Sequence, residues 1–567
     1  MTPGLLIKNA FVIDPLSGVK GEIMDIAISN GRIVDEAPRD AEVIDAAGCL
    51  TLPGGIDSHS HVCGTKVNFG RYMSPEDMRA GRTARKGVMH VTSGYSVPTT
   101  FGNSYRYSTM GYTTVLEGAM APLEARHTHE EFTATPHQDM LANTLFDGNW
   151  SIMEAVREKD VKRAAAIVAW TLAAVRGFAI KLTNPGGTEA WGWGEDVHSI
   201  QDLVPHFEVT PAEIIGTMIR ANEMLNLPHS VHLHCNNLGV PGNFRTTLDT
   251  IDLVPDLNKE RQSLYLTHVQ FHSYGGSTWR DICSRSEDIA RAVNGKPQVV
   301  MDMGQIMFGR TTTMTADGPM EFKLYMLHHN KWSNHDVELE TGSGIIPVYY
   351  GRKSLVNCVM WSIGLELALL AKNPWQCLLS TDSPNGAPFV KYPEIIALLM
   401  SQRLRESERK MIDPRTEHFV PLFAIERELD WYEIAVMTRA AQAKALGITR
   451  IGKGYLAPGA EADVAIYPIS PDQVDPSVDY QQVMAAFSRS RFTIKRGRVV
   501  ARDGEVIVEG ANSTIWSKAH VPPEYDMGTD PEFTKKFEQY YTVRMRNYPV
   551  QDVYLPRGLR IDTEASL

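Results

Sequence analysis

Apolar positions along the chain follow two grammars. Near the start, "LLIKNAFVID", "MDIAISNGRIV" and "AEVIDAAGCLTLPG" are short β-rich runs separated by Gly, Asn and Asp turn signals, and the same grammar returns in "GAEADVAIYPI" and "RFTIKRGRVVARDGEVIVEG". Between them, strand-length apolar runs alternate with helix-length segments such as "VKRAAAIVAWTLAAVRG" (161–177), the pattern of a parallel α/β sheet or barrel. Core strands are predicted at "YTTVLEGAM" (112–120), "GFAIKL" (177–182), "SVHLHC" (230–235), "LYLTHV" (264–269), "QVVMDMG" (298–304) and "QCLLSTD" (376–382). The expected organisation is a β unit built from residues 1–52 and 451–510, an α/β body over 53–450, and a polar, aromatic, proline-punctuated extension over 511–567 that wraps the body or meets a partner.

Nearly every predicted strand ends in a histidine, lysine or acid, and in a parallel barrel chemistry is built at those carboxyl ends. "GGIDSHSHVCG" places His59 and His61 two apart, so on an extended strand both rings face one point. Lys181 sits on an apolar strand, where a lysine is costly unless paired, deprotonated or modified. "HSVHLHCNNLG" offers His229, His232 and His234; His232 and His234 share a face and either can be the ligand, with His234 favoured. In "LTHVQFHSYGG" His268 is the better ligand because the apolar run continues there, and His272 reads as loop. Asp382 ends a strand before a Ser-Pro-Asn-Gly turn, as a carboxylate at a barrel mouth does. Singly, each of these residues is more often structural than catalytic.

Composition narrows the picture. The 567 residues, 43% hydrophobic and 22% charged, suit a globular chain with a large body and a smaller unit. A net charge of −11 disfavours nucleic acid or an anionic membrane as the main ligand. No run approaches the roughly 20 apolar residues of a membrane span, and the N-terminus lacks a secretory pattern, so the expected location is cytoplasmic. The six cysteines form no C-x-x-C pair, which argues against an iron–sulfur cluster; no redox cofactor is expected on this chain. There is also no G-x-x-x-x-G-K-[ST] loop to activate a carboxylate with ATP.

The order H-x-H, Lys, His, His, Asp on successive strands resembles the binuclear-metal amidohydrolase superfamily, which includes dihydroorotases, hydantoinases and ureases. The resemblance implies a (β/α)8 TIM-like barrel with a small β-sandwich from both termini. It also implies one metal on His59 and His61, another on His234 and His268, a carboxylated Lys181 bridging them, and Asp382 as ligand and proton shuttle. Zinc is the default metal, with iron, manganese and nickel open. Longer phrases, among them "HLHCNNLGVPGN", "TTTMTADGPMEF", "WSIGLELALL" and "STDSPNGAPFVKYPE", look like the family of formylmethanofuran dehydrogenase A subunits over roughly residues 5–510. In that family a partner subunit with a molybdenum or tungsten pterin makes formate from carbon dioxide, and the A subunit condenses formate with the amine of methanofuran. A close relative in methylotrophic bacteria runs the step as a formylmethanofuran hydrolase; a cyclic amide hydrolase of hydantoinase or dihydroorotase type is the other alternative. The phrases lean to the archaeal setting. Asn237 and Asn243 are candidates for holding the formyl or furan portion, with turn formation at least as good a reading. Arg106, Arg126 and Arg280 are candidates for an acidic substrate tail, while "EARHTHEE" (124–131), with His127 and His129, reads as loop.

Overall fold

Eight parallel strands carry the functional residues: β1 Gly55–Ser60, β2 Tyr112–Met120, β3 Asp139–Leu145, β4 Ala179–Thr183, β5 Val231–His234, β6 Leu264–Leu266, β7 Val299–Asp302 and β8 Cys377–Leu378. The computed structural model describes residues 4–255, 261–337, 340–510, 512–555 and 557–567. Each strand pairs in parallel with the next in chain order. A parallel bridge between Ser60 and Ser383, with the His61 amide donating to the Ser383 carbonyl at 2.6 Å, joins β1 to the segment leaving β8. The ring of strands is thereby closed as a TIM-like barrel. Strands buried on both faces read as continuous apolar runs, which is why most of them are legible in the sequence.

β3 is not among the predicted strands. Its sequence, "DMLANTL", is broken by Asn143 and Thr144, both fully buried, and burial between β2 and β4 overrides the weak local signal. Two other expectations are corrected. β6 stops at Leu266, so His268 lies on the turn beyond it and not on the strand. Residues 124–131 are not loop: Ala125–Phe132 is a helix that buries Ala125, Thr128, His129 and Phe132, the i, i+3, i+4, i+7 spacing of one helical face. His129 Nε2 donates to the Val175 carbonyl at 2.9 Å, and His127 is exposed.

The helices between strands have clear local causes. Pro211–Met224 starts with Pro at its first turn and a reciprocal cap between Thr210 and Glu213. Val161–Val175 is alanine-rich and capped by Asp160, and Leu355–Leu370 is capped by Ser354.

Both ends of the chain build one nine-stranded, mostly antiparallel sheet. The halves meet where Leu50–Pro53 pairs antiparallel with Val464–Tyr467. A buried ionic cluster fastens this sheet to the barrel. The Lys495 ammonium lies 2.6 Å from Asp139 at the start of β3 and 2.8 Å from Asp463, while Lys453 pairs with Asp139, Glu461 and Asp463. The Ser513 amide donates to Asp139 at 2.7 Å, drawing in the C-terminal segment. Beyond it, Thr514–His520 pairs in parallel with Gly558–Glu564 and touches β3 at Met140, and helix Pro531–Tyr540 packs Phe533 and Phe537 on Trp170. Replacing Lys495 by methionine leaves three carboxylates, Asp139, Glu461 and Asp463, to two cations, Lys453 and Arg496, and this buried charge imbalance is expected to cost about 3–5 kcal/mol, read as a lower denaturant midpoint. A midpoint equal to wild type would remove this cluster from the account of stability.

Candidate metal centre

His59 lies on β1 and His61 directly after its last residue, where the continuing alternation sends both rings to the same side, both buried. Each ring is held from behind by a carboxylate: His59 Nδ1 lies 2.9 Å from Asp302 on β7, and His61 Nδ1 lies 2.9 Å from Glu117 on β2. Their Nε2 atoms converge on one oxygen, Asp382 Oδ1, at 3.2 and 3.1 Å. Gly118 makes room for this pair, because a Cβ there would sit 2.6 Å from the His59 ring.

Lys181 on β4 is buried and in register with His232 on β5. Burial brings its ammonium down to about 8, against the opposing charges of Asp382, Asp302 and Asp147. His234 ends β5, and its Nε2 lies 3.0 Å from Asp317, which leaves Nδ1 as the ring nitrogen for a ligand. His232 packs differently: it stacks on Tyr265 at 4.3 Å, and its Nδ1 is 3.0 Å from His229, whose other nitrogen meets the Ala445 carbonyl at 2.7 Å.

His268 and Asp382 occupy turns with left-handed backbone, φ 37° and 50°. Non-glycine residues reach that region at a cost that the surroundings must offset, and such outliers cluster at functional sites. For His268 the support is visible: its amide donates to Asp302 at 2.8 Å, and Gly304 lies so close that a Cβ there would be 2.3 Å from the His268 Cα. Asp382 receives the Asn385 amide on Oδ2 at 2.7 Å, which fixes the carboxylate and leaves Oδ1 directed at the two histidines.

One cavity of about 720 Å³ has His59, His61, Lys181, His234, His268 and Asp382 on its wall; His232 is not on it. Three atoms on its wall, His59 Nε2, His268 Nδ1 and Asp382 Oδ1, are buried without a well-aligned hydrogen bond, since the 3.1 and 3.2 Å approaches of His61 and His59 to Oδ1 lack hydrogen-bond geometry. Ligand atoms of His59, His268 and Asp382 lie within 4.8 Å of one another. Imidazole nitrogens and a carboxylate oxygen facing one another on a cavity wall are the donor set of a divalent cation, so the residues fit one.

The other candidates sit elsewhere or are already engaged. Asn237 is on the cavity wall, but its amide donates to the His198 carbonyl at 2.5 Å and to Thr246 at 3.2 Å. Asn243 donates to the carbonyls of Asn237 and Phe271 and accepts the Tyr274 amide, so it fastens the loop. The Arg106 guanidinium bonds the carbonyls of Tyr95, Gly81 and Gly94. None of Arg106, Arg126 and Arg280 lines the cavity. His272 is buried against His268 at 5.2 Å and is not on the wall.

The carboxylates behind the rings escape the sequence reading. Asp302 in "VVMDMG", Glu117 in "VLEGAM" and Asp317 in "TADGPM" each offer one signal, an acid within or just after an apolar run. Burial alone would raise Glu117, but the Lys66 charge and the His61 hydrogen bond hold it down at about 2. Asp302 is pushed up to about 7 by burial, despite the His268 amide. Since Glu117 is depressed, its contribution to stability is present above 4.5 and is lost as the pH falls toward about 2. Glu117→Gln is therefore expected to remove this part of the acid dependence and, by freeing the His61 ring, to weaken metal binding by about 10–100-fold in a zinc titration. Unchanged zinc affinity would show that Glu117 does not orient His61.

The sequence matches the profile of the amidohydrolase family over residues 42–501. It is 49% identical to protein FwdA of Methanocaldococcus jannaschii, across 98% of this chain and 99% of that one. It is 32% identical to the A subunit of the formyltransferase/hydrolase complex Fhc of Methylorubrum extorquens, across 97% of each. The crystal structure of the FhcABCD complex from Methylorubrum extorquens with methylofuran contains a chain that superposes with a TM-score of 0.89 at 30% identity, covering 99% of this chain and all of that one.

Proposed function

The chain belongs to the amidohydrolase family, and from that membership we propose that it is a metal-dependent enzyme acting on the formamide of formylmethanofuran, joining formate to the methanofuran amine or releasing it. The observation that carries the reading is the convergence of six buried ionisable side chains, three of them on strands (His59, Lys181, His234) and three just beyond strand ends (His61, His268, Asp382), on one cavity. His59 and His61 would hold one metal and His234 and His268 the other, with Lys181 bridging them as a carbamate and Asp382 as a further ligand. When bound, such ions act as Lewis acids on the formyl oxygen.

The chain's own residues supply the rest. Asp382, fixed through Oδ2 by Asn385, would take a proton on Oδ1 from attacking water and deliver it to the departing amine nitrogen; in the reverse direction it would take the proton from the amine and pass it to the departing formate oxygen, which leaves as water. Both directions pass through one tetrahedral intermediate, so one arrangement serves both. Leu145, Leu238, Val240, Phe271 and Trp279 make part of the cavity wall apolar.

Reduction of carbon dioxide is assigned to a partner. The Fhc relative stands in a complex of four kinds of subunit, and we infer a multi-subunit assembly for this chain, in which a molybdenum or tungsten pterin protein supplies formate. Among the described residues no helix is long and apolar enough to cross a membrane.

The test is turnover by the full chain prepared with zinc and bicarbonate under anaerobic conditions. Expected are formate release from formylmethanofuran, no opening of dihydroorotate or hydantoin, and no formate from carbon dioxide with a low-potential donor. Ring opening without formamide turnover would favour the cyclic amide reading, and reduction of carbon dioxide by this chain would overturn the division of labour.

A further inference from the structure

We propose that Asp317 is a positioning residue that couples a helix at the cavity mouth, Gly318–His328, to the metal-binding ring of His234. The proposal rests on the reading of His234 as a ligand. Asp317 is 1% exposed and uses its two oxygens for two different tasks. Oδ2 holds His234 Nε2 at 3.0 Å. Oδ1 accepts the Met320 amide at 3.1 Å, capping the helix, and the Asn184 side-chain amide at 3.0 Å. Asn184, itself left-handed at φ 44°, closes the circuit: its backbone amide donates to the His234 carbonyl at 2.9 Å, and its Oδ1 accepts from Asn236 at 2.8 Å.

The helix belongs to the cavity. Met320, Phe322, Leu324, Met326 and Leu327 are on the wall, yet Phe322, Met326 and Leu327 remain 39%, 52% and 50% exposed, so this apolar flank sits at the opening and is only partly covered. Apart from its cap, a polar tie to the body runs from Lys323 to Asp196 at 2.8 Å. Phe322 also packs on Trp191 at 5.7 Å and Tyr325 stacks on Trp332 at 5.4 Å, so Asp317 is one of several ties that place the mouth, and it is a tie that also meets His234.

The physical link is the imidazole. A cation on Nδ1 withdraws charge and makes Nε2–H a stronger donor, so the bond to Asp317 shortens and strengthens when the site is filled. Linkage makes the effect reciprocal: whatever the cation adds to the docking of the helix, the docked helix adds to the affinity for the cation. Metal loading and docking of the helix are then coupled equilibria.

The experiment is hydrogen exchange across 318–328 in the full chain with zinc and after chelation, together with zinc titration of Asp317→Ser and Asp317→Asn. Serine keeps an oxygen that can cap Met320 but has none left for His234, which separates the two tasks. Expected are faster exchange in this helix on chelation of the wild type, and binding of one of two zinc ions weakened by about 10–100-fold in Asp317→Ser, with Asp317→Asn between. A wild type that binds two zinc ions with identical exchange in both states overturns the coupling, as does Asp317→Ser binding both ions as tightly as wild type. A wild type that binds no zinc overturns the metal reading itself, and the coupling with it. Should the serine variant not fold, the wild-type exchange comparison decides alone.

Discussion

Asp382→Asn is expected to leave the fold and most of the bound metal in place while lowering formamide turnover by about 10²–10⁴-fold, the range for removal of a positioned proton carrier. The substitution is nearly isosteric. An asparagine carbonyl oxygen can still accept the Asn385 amide that now holds Oδ2 at 2.7 Å, so the left-handed turn at φ 50° keeps its support. What disappears is the basic oxygen between the Nε2 atoms of His59 and His61. Metal analysis beside the kinetics separates the two roles of this carboxylate: lost turnover with retained metal points to proton transfer, lost turnover with lost metal to ligation. Turnover near wild type would move the proton role to another residue.

Lys181→Ala is expected to abolish turnover and to lower metal content from about two ions per chain toward one or fewer, because it removes the only bridging group that β4 supplies. The amine is suited to carboxylation: burial brings it down to about 8, so a neutral fraction exists near neutral pH, where an ordinary lysine has almost none. A short carboxylic acid added to Lys181→Ala fits the space of the lost side chain and supplies two oxygens, so partial recovery of both metal and turnover is expected. Lys181→Met serves as the control that keeps the apolar stem. If Lys181→Ala retained full metal and activity, the bridge would have to come from elsewhere.

The parts of this site legible in the sequence are those with local causes. His59 and His61 stand out because a two-residue period puts them on one face, and Lys181 and Asp382 because charge at the end of an apolar run is costly without a purpose. Between His232 and His234 the sequence does not decide, since both share a face; in the structure His234 lines the cavity and meets Asp317, while His232 lies off the cavity wall against Tyr265 and His229. The carboxylates behind the rings are out of reach. Asp302 is 243 positions from His59, and Asp317 is 83 from His234, so no spacing rule connects them. β3 escapes because two buried polar residues interrupt its run, and the turn at His268 escapes because the apolar run continues past the point where β6 ends. Hydrophobic pattern reports burial, and it says nothing of where a buried chain changes direction.

The most direct test of the central claim is a crystal of the zinc- and bicarbonate-loaded protein measured on both sides of the zinc absorption edge. The account predicts two anomalous peaks at the cavity floor, about 3.5–4 Å apart, one beside His59 and His61 and one beside His234 and His268, with density for a carboxylated Lys181 between them. A single peak, or peaks away from these six residues, would contradict it.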